Sequence, residues 1–125
     1  MLIAIIDDDA SLLRALGRLL SDCGYGVLPF PSGEAFLKYA EEGKAACLLV
    51  DIGLGGISGL EMVRQLAASG FNAPVIFMSG FVDEGIERQS RALGCVAYLR
   101  KPFPPEQLLS AIRKAACLDV EKRPV

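Results

Sequence analysis

Histidine is absent from this chain of 125 residues. Its absence excludes histidine-dependent triads, zinc sites with histidine ligands and a phosphohistidine on this chain. Cysteine is scarce, and its four copies are scattered without a Cys-x-x-Cys pair. We therefore expect small buried hydrophobes instead of metal ligands or disulfide partners at Cys23, Cys47, Cys95 and Cys117.

A strong charge of one sign is lacking as well, because thirteen basic and fifteen acidic residues give a net charge of -2. This balance argues against a general nucleic-acid footprint. No apolar run is long enough to span a bilayer, and no signal-peptide pattern precedes the first run. We expect a cytoplasmic protein with no membrane partner and no direct nucleic-acid partner.

The composition favours one compact domain, since 52% of the residues are hydrophobic. A chain of this length buries roughly two thirds of its unfolded surface. We expect the domain to cover residues 1–118, and residues 119–125 to form a polar tail or the start of a linker.

Five short apolar runs alternate with segments of helical spacing. Most of the runs are continuously hydrophobic, which is typical of strands covered on both faces. After the first run, one apolar stripe is formed by Leu12, Leu13, Leu16, Leu19 and Leu20. Right-handed crossovers wrap this order into an α/β fold with a five-stranded parallel sheet and five helices on both faces. The runs cover residues 2–6, 26–30, 46–50, 74–78 and 96–99.

Polar side chains follow four of the runs, at the edge where α/β proteins build their sites. They are Asp7, Asp8, Asp51, Ser79 and Lys101. Each contact between two carboxylates there would cost about 4 kcal/mol at 4 Å and an effective dielectric near 20. A positive group must therefore be present, and Lys101 and a bound cation are the two candidates.

The chemistry of these side chains favours a hard divalent ion. Oxygen ligands with so few carboxylates suit Mg²⁺ with retained waters, or Mn²⁺. A phosphoryl group would fill the remaining coordination positions, with Lys101 and the Ser79 hydroxyl holding its other oxygens. Asp9 is expected only to cap the following helix.

Across residues 2–116 the chain closely resembles the receiver domain of two-component response regulators. The resemblance rests on the acidic pair in IIDDD, the central aspartate in LLVDIGLGGISG, the serine in VIFMSG and the lysine in YLRKPF. It implies a doubly wound, flavodoxin-like (βα)5 fold. It also implies that Asp51 accepts a phosphoryl group from a sensor histidine kinase or phosphotransfer protein, and that the domain then switches conformation to control an output.

The resemblance assigns a role to each residue of the site. Asp8, Asp51 and the Gly53 carbonyl would ligate Mg²⁺, with Asp7 acting through water. Ser79 would hydrogen-bond the phosphoryl group, and Lys101 would pair with it. The protein would not be an enzyme in the ordinary sense, because it would catalyse only its own Mg²⁺-dependent phosphorylation and dephosphorylation.

The resemblance also implies a switch. Tyr98 would turn inwards into the space that Ser79 vacates. This rotation would bias a surface on the fourth helix, fifth strand and fifth helix, through which we expect a phosphorylation-dependent homodimer. The Lys101-Pro102 peptide bond would be cis.

The loop after Asp51 departs from the family pattern, because its four glycines predict an unusually free backbone. In the resembling family, the residues two after the aspartate and two after the serine border the approach of hydrolytic water. Here these residues are Gly53 and Phe81, which offer nothing to orient water. We therefore expect slow loss of the phosphoryl group.

Two other functions stay open. The pattern Asp7-x-Asp9-x-Ser11 resembles the nucleophile motif of haloacid-dehalogenase-like phosphatases, and would make Asp7 the nucleophile. No acidic pair follows Lys101, however, and the chain leaves no room for a cap domain. The second alternative is a receiver-like binding module that is never phosphorylated.

Overall fold

A computed structural model describes residues 1–40 and 45–122, with the backbone alone for residues 119–122. Strands and helices alternate along the described chain. The strands are β1 (Leu2–Ile6), β2 (Gly26–Phe30), β3 (Cys47–Asp51), β4 (Val75–Ser79) and β5 (Ala97–Arg100). The helices are α1 (Ala10–Asp22), α2 (Gly33–Ala40), α3 (Gly59–Ala68), α4 (Glu84–Ala92) and α5 (Pro105–Lys122).

The five strands form one parallel sheet in the order β2-β1-β3-β4-β5. The predicted doubly wound (βα)5 fold is therefore confirmed. Its topological switch point lies between β1 and β3, where ligands bind in such folds. Both strands carry acidic residues at that end of the sheet.

Three strands lie one residue later than the sequence predicts. Asp51 pairs with Met78, and Ser79 pairs with Arg100, so both polar residues are part of the sheet. The backbone N–H of Lys101 also donates to the Ser79 carbonyl at 2.7 Å. Hydropathy marks the end of an apolar run, whereas the backbone ladder continues through the polar residue that follows it.

The sheet separates two apolar cores because successive strand side chains point to opposite faces. Ile3 and Ile5 belong to the core on the side of α1 and α5. Ala4 and Ile6 belong to the core on the side of α2 and α3. With both faces covered, the carboxyl ends of the strands form the edge at which polar side chains collect.

The cysteines differ from expectation at two positions. None of the four forms a disulfide within the described residues, and Cys47 is buried while Cys95 is half-buried. Cys23 and Cys117 are exposed, so the prediction of burial is wrong for them. Cys23 is the C-cap of α1. A single cysteine carries no periodic signal that distinguishes an inner from an outer position.

The C-terminal helix continues further than the predicted domain boundary. Residues 119–122 belong to the helical backbone of α5, and residues 123–125 of the predicted tail or linker lie outside the described residues. The division at residue 118 stays a prediction. Among the described residues, no helix combines the length and apolarity needed to cross a membrane.

Candidate functional site

Three consecutive acidic residues after β1 have three different surroundings. Asp7 is fully buried, and its backbone N–H donates to the Phe30 carbonyl of β2 at 3.1 Å. Asp8 is exposed. Asp9 is the N-cap of α1, since its side chain accepts the N–H groups of the first helical turn. The predicted capping role of Asp9 is confirmed.

Lys101 joins the two buried carboxylates of the edge. Its Nζ lies 2.7 Å from Asp7 Oδ2 and 3.3 Å from Asp51 Oδ2. The other oxygen of Asp7 accepts the Asp9 N–H at 2.9 Å. Asp7 therefore has a protein donor on each carboxylate oxygen. The peptide bond from Lys101 to Pro102 is cis, as the resemblance implies.

The electrostatics of the site leave an excess of negative charge. Burial raises the pKa of Asp51, and the Asp7 charge adds to this, while the Gly53 N–H and Lys101 oppose it. Burial alone would lower the pKa of Lys101, but the hydrogen bond to Asp7 and the charges of Asp51 and Asp7 raise it. The ammonium of Lys101 is thus one positive charge in contact with two carboxylates, Asp7 and Asp51, and Asp8 adds a third acidic side chain to the group.

The acidic group has the donor chemistry and spacing of a cation site. One oxygen each from Asp7, Asp8 and Asp51 lies within 4.8 Å of the others. Carboxylate oxygens suit Mg²⁺ or Mn²⁺. Because Asp8 is exposed while Asp7 and Asp51 are buried, the group opens towards solvent on the Asp8 side. That opening leaves room for retained waters.

Ser79 is fully buried at the end of β4 and is bonded to the next loop. Its Oγ donates to the Phe81 carbonyl at 2.9 Å and accepts the Phe81 N–H at 3.3 Å. Phe81 is 46% exposed, and its ring lies near Gly53, where an added Cβ would be 3.6 Å from the ring. Ser79 and Phe81 therefore border the site from the β4 side.

Tyr98 lies on β5 and packs against the core on the side of α2 and α3. Within the described part of the chain, its buried hydroxyl oxygen has no hydrogen-bond partner. The hydroxyl is thus already buried in the state that the structure describes. The inward rotation implied by the resemblance stays a prediction.

In the glycine-rich loop between β3 and α3, three backbone N–H groups donate to carboxylates. Gly53 donates to Asp51 Oδ1 at 3.1 Å, and Gly55 donates to Asp8 Oδ2 at 3.4 Å. Ile57 donates to Glu34 Oε2 at 3.1 Å. The loop that the sequence predicts to be unusually free is held by these contacts. The sequence analysis does not predict the contact of Glu34 with the loop, because the two partners are 23 residues apart.

Comparisons with known proteins agree with this geometry. Residues 3–113 match the family model described as the response regulator receiver domain. The response regulator protein TodT of Pseudomonas putida is 37% identical over 121 residues, which is 97% of this chain and 53% of TodT. The transcriptional regulatory protein FixJ of Bradyrhizobium diazoefficiens is 32% identical over 113 residues, covering 90% of this chain and 55% of FixJ.

Solved structures are also similar. A structure of the response regulator StyR has a TM-score of 0.91 and 30% sequence identity, and the match covers 98% of this chain and 62% of that chain. The structure of FixJ-N has a TM-score of 0.87 and 27% sequence identity, and the match covers 99% of this chain and 96% of that chain. The chain spans about half the length of the curated relatives that it matches.

Proposed function

Because this chain belongs to the response regulator receiver domain family, we propose that Asp51 accepts a phosphoryl group from a sensor histidine kinase or phosphotransfer protein. One contrast between the two buried carboxylates carries this assignment. Each carboxylate has one oxygen bonded to a backbone N–H and the other facing Lys101, but the Lys101 ammonium lies only 2.7 Å from Asp7. Asp51 ends the central strand β3, and its contact with Lys101 is longer, at 3.3 Å.

The acidic group would hold Mg²⁺, or Mn²⁺, through Asp8, Asp51 and the Gly53 carbonyl, with Asp7 acting through water. The exposed Asp8 has a weak 3.4 Å contact from Gly55, which leaves its oxygens available as ligands. Asp7 is fully buried and bonds Lys101 at 2.7 Å, which favours an indirect role. The bound ion would neutralise charge on the phosphoryl group, which a carboxylate nucleophile needs.

Lys101 and Ser79 would hold the phosphoryl oxygens once Asp51 is modified. Lys101 is already within 3.3 Å of Asp51, so added negative charge there would draw its ammonium away from Asp7. Ser79 would have to give up its bond to the Phe81 carbonyl in order to donate to the phosphoryl group. The position of the β4–α4 loop would thereby depend on the chemical state of Asp51.

Tyr98 would couple this change to the surface formed by α4, β5 and α5. A buried hydroxyl without a partner costs about 1–3 kcal/mol, so a small shift that gives Tyr98 a partner would be favoured. β5 is an edge strand, and a shallow groove runs along it beside Gln107 and Lys114 of α5. A phosphorylation-dependent homodimer would form through this surface.

The kinase would dock beside the acidic edge. A groove of about 650 Å³ lies between α1 and the loop after β5, and Lys101 is part of its lining. Its apolar walls include Leu12, Leu16, Pro102 and Phe103. Exposed Arg14 and Arg18 lie along the adjoining part of α1. FixJ is named a transcriptional regulatory protein, so control of transcription is the output that we propose.

Intact mass spectrometry after incubation with acetyl phosphate and Mg²⁺ tests the phosphoacceptor assignment. We expect one acid-labile phosphoryl group in wild type and in Asp7→Asn at reduced yield, and none in Asp51→Asn or without Mg²⁺. An adduct that persists in Asp51→Asn and disappears in Asp7→Asn would favour the phosphatase mechanism. Wild type that takes up no phosphoryl group would favour the binding-module alternative.

A further inference from the structure

The start of α2 and the end of the glycine-rich loop form a close junction. Glu34 Oε2 accepts the Ile57 N–H at 3.1 Å. Gly56 has a φ of 72°, and an added Cβ would lie 2.5 Å from Glu34 Oε2. On the other side of the junction, a Cβ on Gly33 would lie 2.6 Å from Ile57 Cγ2. Two glycines thus allow the backbones to approach, and one carboxylate joins them.

The Glu34 contact differs from the other two loop contacts because its acceptor has no proposed role in cation or phosphoryl binding. The N–H groups of Gly53 and Gly55 bond to Asp51 and Asp8, which the proposed function uses for cation and phosphoryl binding. Those two bonds weaken when the same carboxylates take other partners. The Glu34 contact lies at the far end of the loop and involves no such group.

The hydrogen bond to Glu34 matters for the order of the loop, because glycine loses more conformational freedom on ordering than any other residue. The loop from Gly53 to Gly59 contains four glycines. Leu54, which is 7% exposed, anchors its middle in the core. Without Glu34, no charged side chain outside the acidic group would hold the segment around Gly55, Gly56 and Ile57 within the described residues.

We propose that Glu34 is a positioning residue that keeps the loop after Asp51, and with it the Gly53 carbonyl, in the conformation that binds the cation. This inference rests on the proposed function of Asp51. Glu34 acts through the Ile57 N–H and the loop backbone, and it does not touch the reacting atoms.

Two substitutions separate the hydrogen bond from a long-range effect of charge. Glu34→Ala removes both the charge and the acceptor, whereas Glu34→Gln keeps a carbonyl oxygen that can accept the Ile57 N–H. We expect Glu34→Ala to lower Mg²⁺ affinity and the rate of phosphorylation by acetyl phosphate about fivefold. Glu34→Gln should stay within about twofold of wild type.

Glu61→Ala is the matched control for charge. Glu61 is exposed in the first turn of α3, next to the same loop, and pairs with Arg64 at 3.6 Å. Its removal takes away an equal charge without removing an acceptor for a loop N–H. We expect wild-type Mg²⁺ affinity in this variant at physiological salt.

Amide hydrogen exchange of Ile57, measured without Mg²⁺ or phosphoryl donor, gives a readout independent of activity. We expect faster exchange in Glu34→Ala and near-normal exchange in Glu34→Gln. Equal losses of Mg²⁺ affinity in Glu34→Ala, Glu34→Gln and Glu61→Ala would overturn the proposal, and so would wild-type affinity and exchange in Glu34→Ala. Failure of the proposed function would appear separately, as wild type that takes up no phosphoryl group.

Discussion

The three consecutive acidic side chains after β1 have different contacts, because the end of β1 and the start of α1 place them in different surroundings. Asp7 is buried against Lys101, Asp8 is exposed beside Gly55, and Asp9 caps α1. Substitution of adjacent residues can therefore separate cation binding from stability.

The first prediction compares Asp8→Ala with Asp9→Ala. Asp8→Ala should lose Mg²⁺ binding and phosphorylation while its unfolding free energy stays equal or rises, because repulsion among the carboxylates is relieved. Asp9→Ala should lose about 1 kcal/mol of stability with its helix cap and keep its Mg²⁺ affinity. Calorimetric titration measures the Mg²⁺ affinity, and denaturant unfolding measures the unfolding free energy. Unchanged Mg²⁺ affinity in Asp8→Ala would mean that the site lies elsewhere.

The second prediction concerns the lifetime of the phosphoryl group. A Cβ on Gly53 would lie 3.6 Å from the Phe81 ring and 3.7 Å from Asp51 Oδ1, so a side chain fits there. Gly53→Asn with Phe81→Glu would supply polar groups that orient water, and loss of phosphate should accelerate about a hundredfold. Phosphate release after removal of the donor gives the rate. A double variant with a lifetime equal to or longer than that of wild type would refute this explanation.

Most of the site residues could be predicted because each follows an apolar run, and parallel strands bring such positions to one edge. Glu34 could not, since its sequence context is that of an ordinary acidic residue in a first helical turn. Its role depends on Gly56 and Ile57, which only the packing of α2 against the loop brings near.

Helix α4 makes exposed polar contacts with neighbouring elements and buries little apolar surface. Arg100 of β5 donates to Glu87 at 3.0 Å, and Arg64 of α3 donates to Gln89 at 2.8 Å. Ser90 is the buried residue of α4, and Ile86 is only partly buried. Few buried apolar contacts are typical of an element that moves at low cost, which suits the helix next to the Ser79 loop.

The third prediction is a pH dependence of the α4 attachment. The hydrogen bond from Arg100 lowers the pKa of Glu87, and Arg91 adds to this effect while slight burial opposes it. Because the folded-state pKa lies below the ordinary glutamate value, this stabilisation is fully present above that value and is lost as pH falls through the folded-state pKa.

Denaturant unfolding of wild type and Glu87→Gln measures this dependence. The stability difference between them should shrink from neutral to acidic pH. In an Arg100→Gln background, which lacks the main donor, the difference should be smaller at neutral pH. A difference that grows as the pH falls would contradict the assignment.

The fourth prediction concerns the exposed face of α1. Charge reversal by Arg14→Glu with Arg18→Glu should slow phosphotransfer from the cognate kinase about tenfold, because rim charges steer association. Phosphorylation by acetyl phosphate should not change, since it needs no docking surface. The rates of phosphorylation by the kinase and by acetyl phosphate are measured on the same protein sample and compared. An unchanged rate of phosphotransfer from the kinase would show that α1 is not part of the kinase interface.

The chain as a whole shows which properties can be predicted from its sequence. The alternation of apolar runs and helical stripes was enough to predict the fold. The reason is that the buried residues of both cores recur with the period of the strand or helix to which they belong. Strand ends at Asp51 and Ser79, and the exposure of Cys23 and Cys117, differed from expectation. These properties depend on contacts between distant segments, which no local pattern encodes.

Across the molecule, the strand order, the acidic edge and the contact from Lys101 support the proposal that Asp51 is the phosphoacceptor. Borohydride reduction after treatment with acetyl phosphate and Mg²⁺ tests this most directly, because it converts an aspartyl phosphate into a stable alcohol that peptide sequencing by mass spectrometry can locate. We predict reduction at position 51 alone, and none in Asp51→Asn. Reduction at Asp7 or at another acidic residue of the wild-type protein would contradict the assignment of Asp51 as the phosphoacceptor.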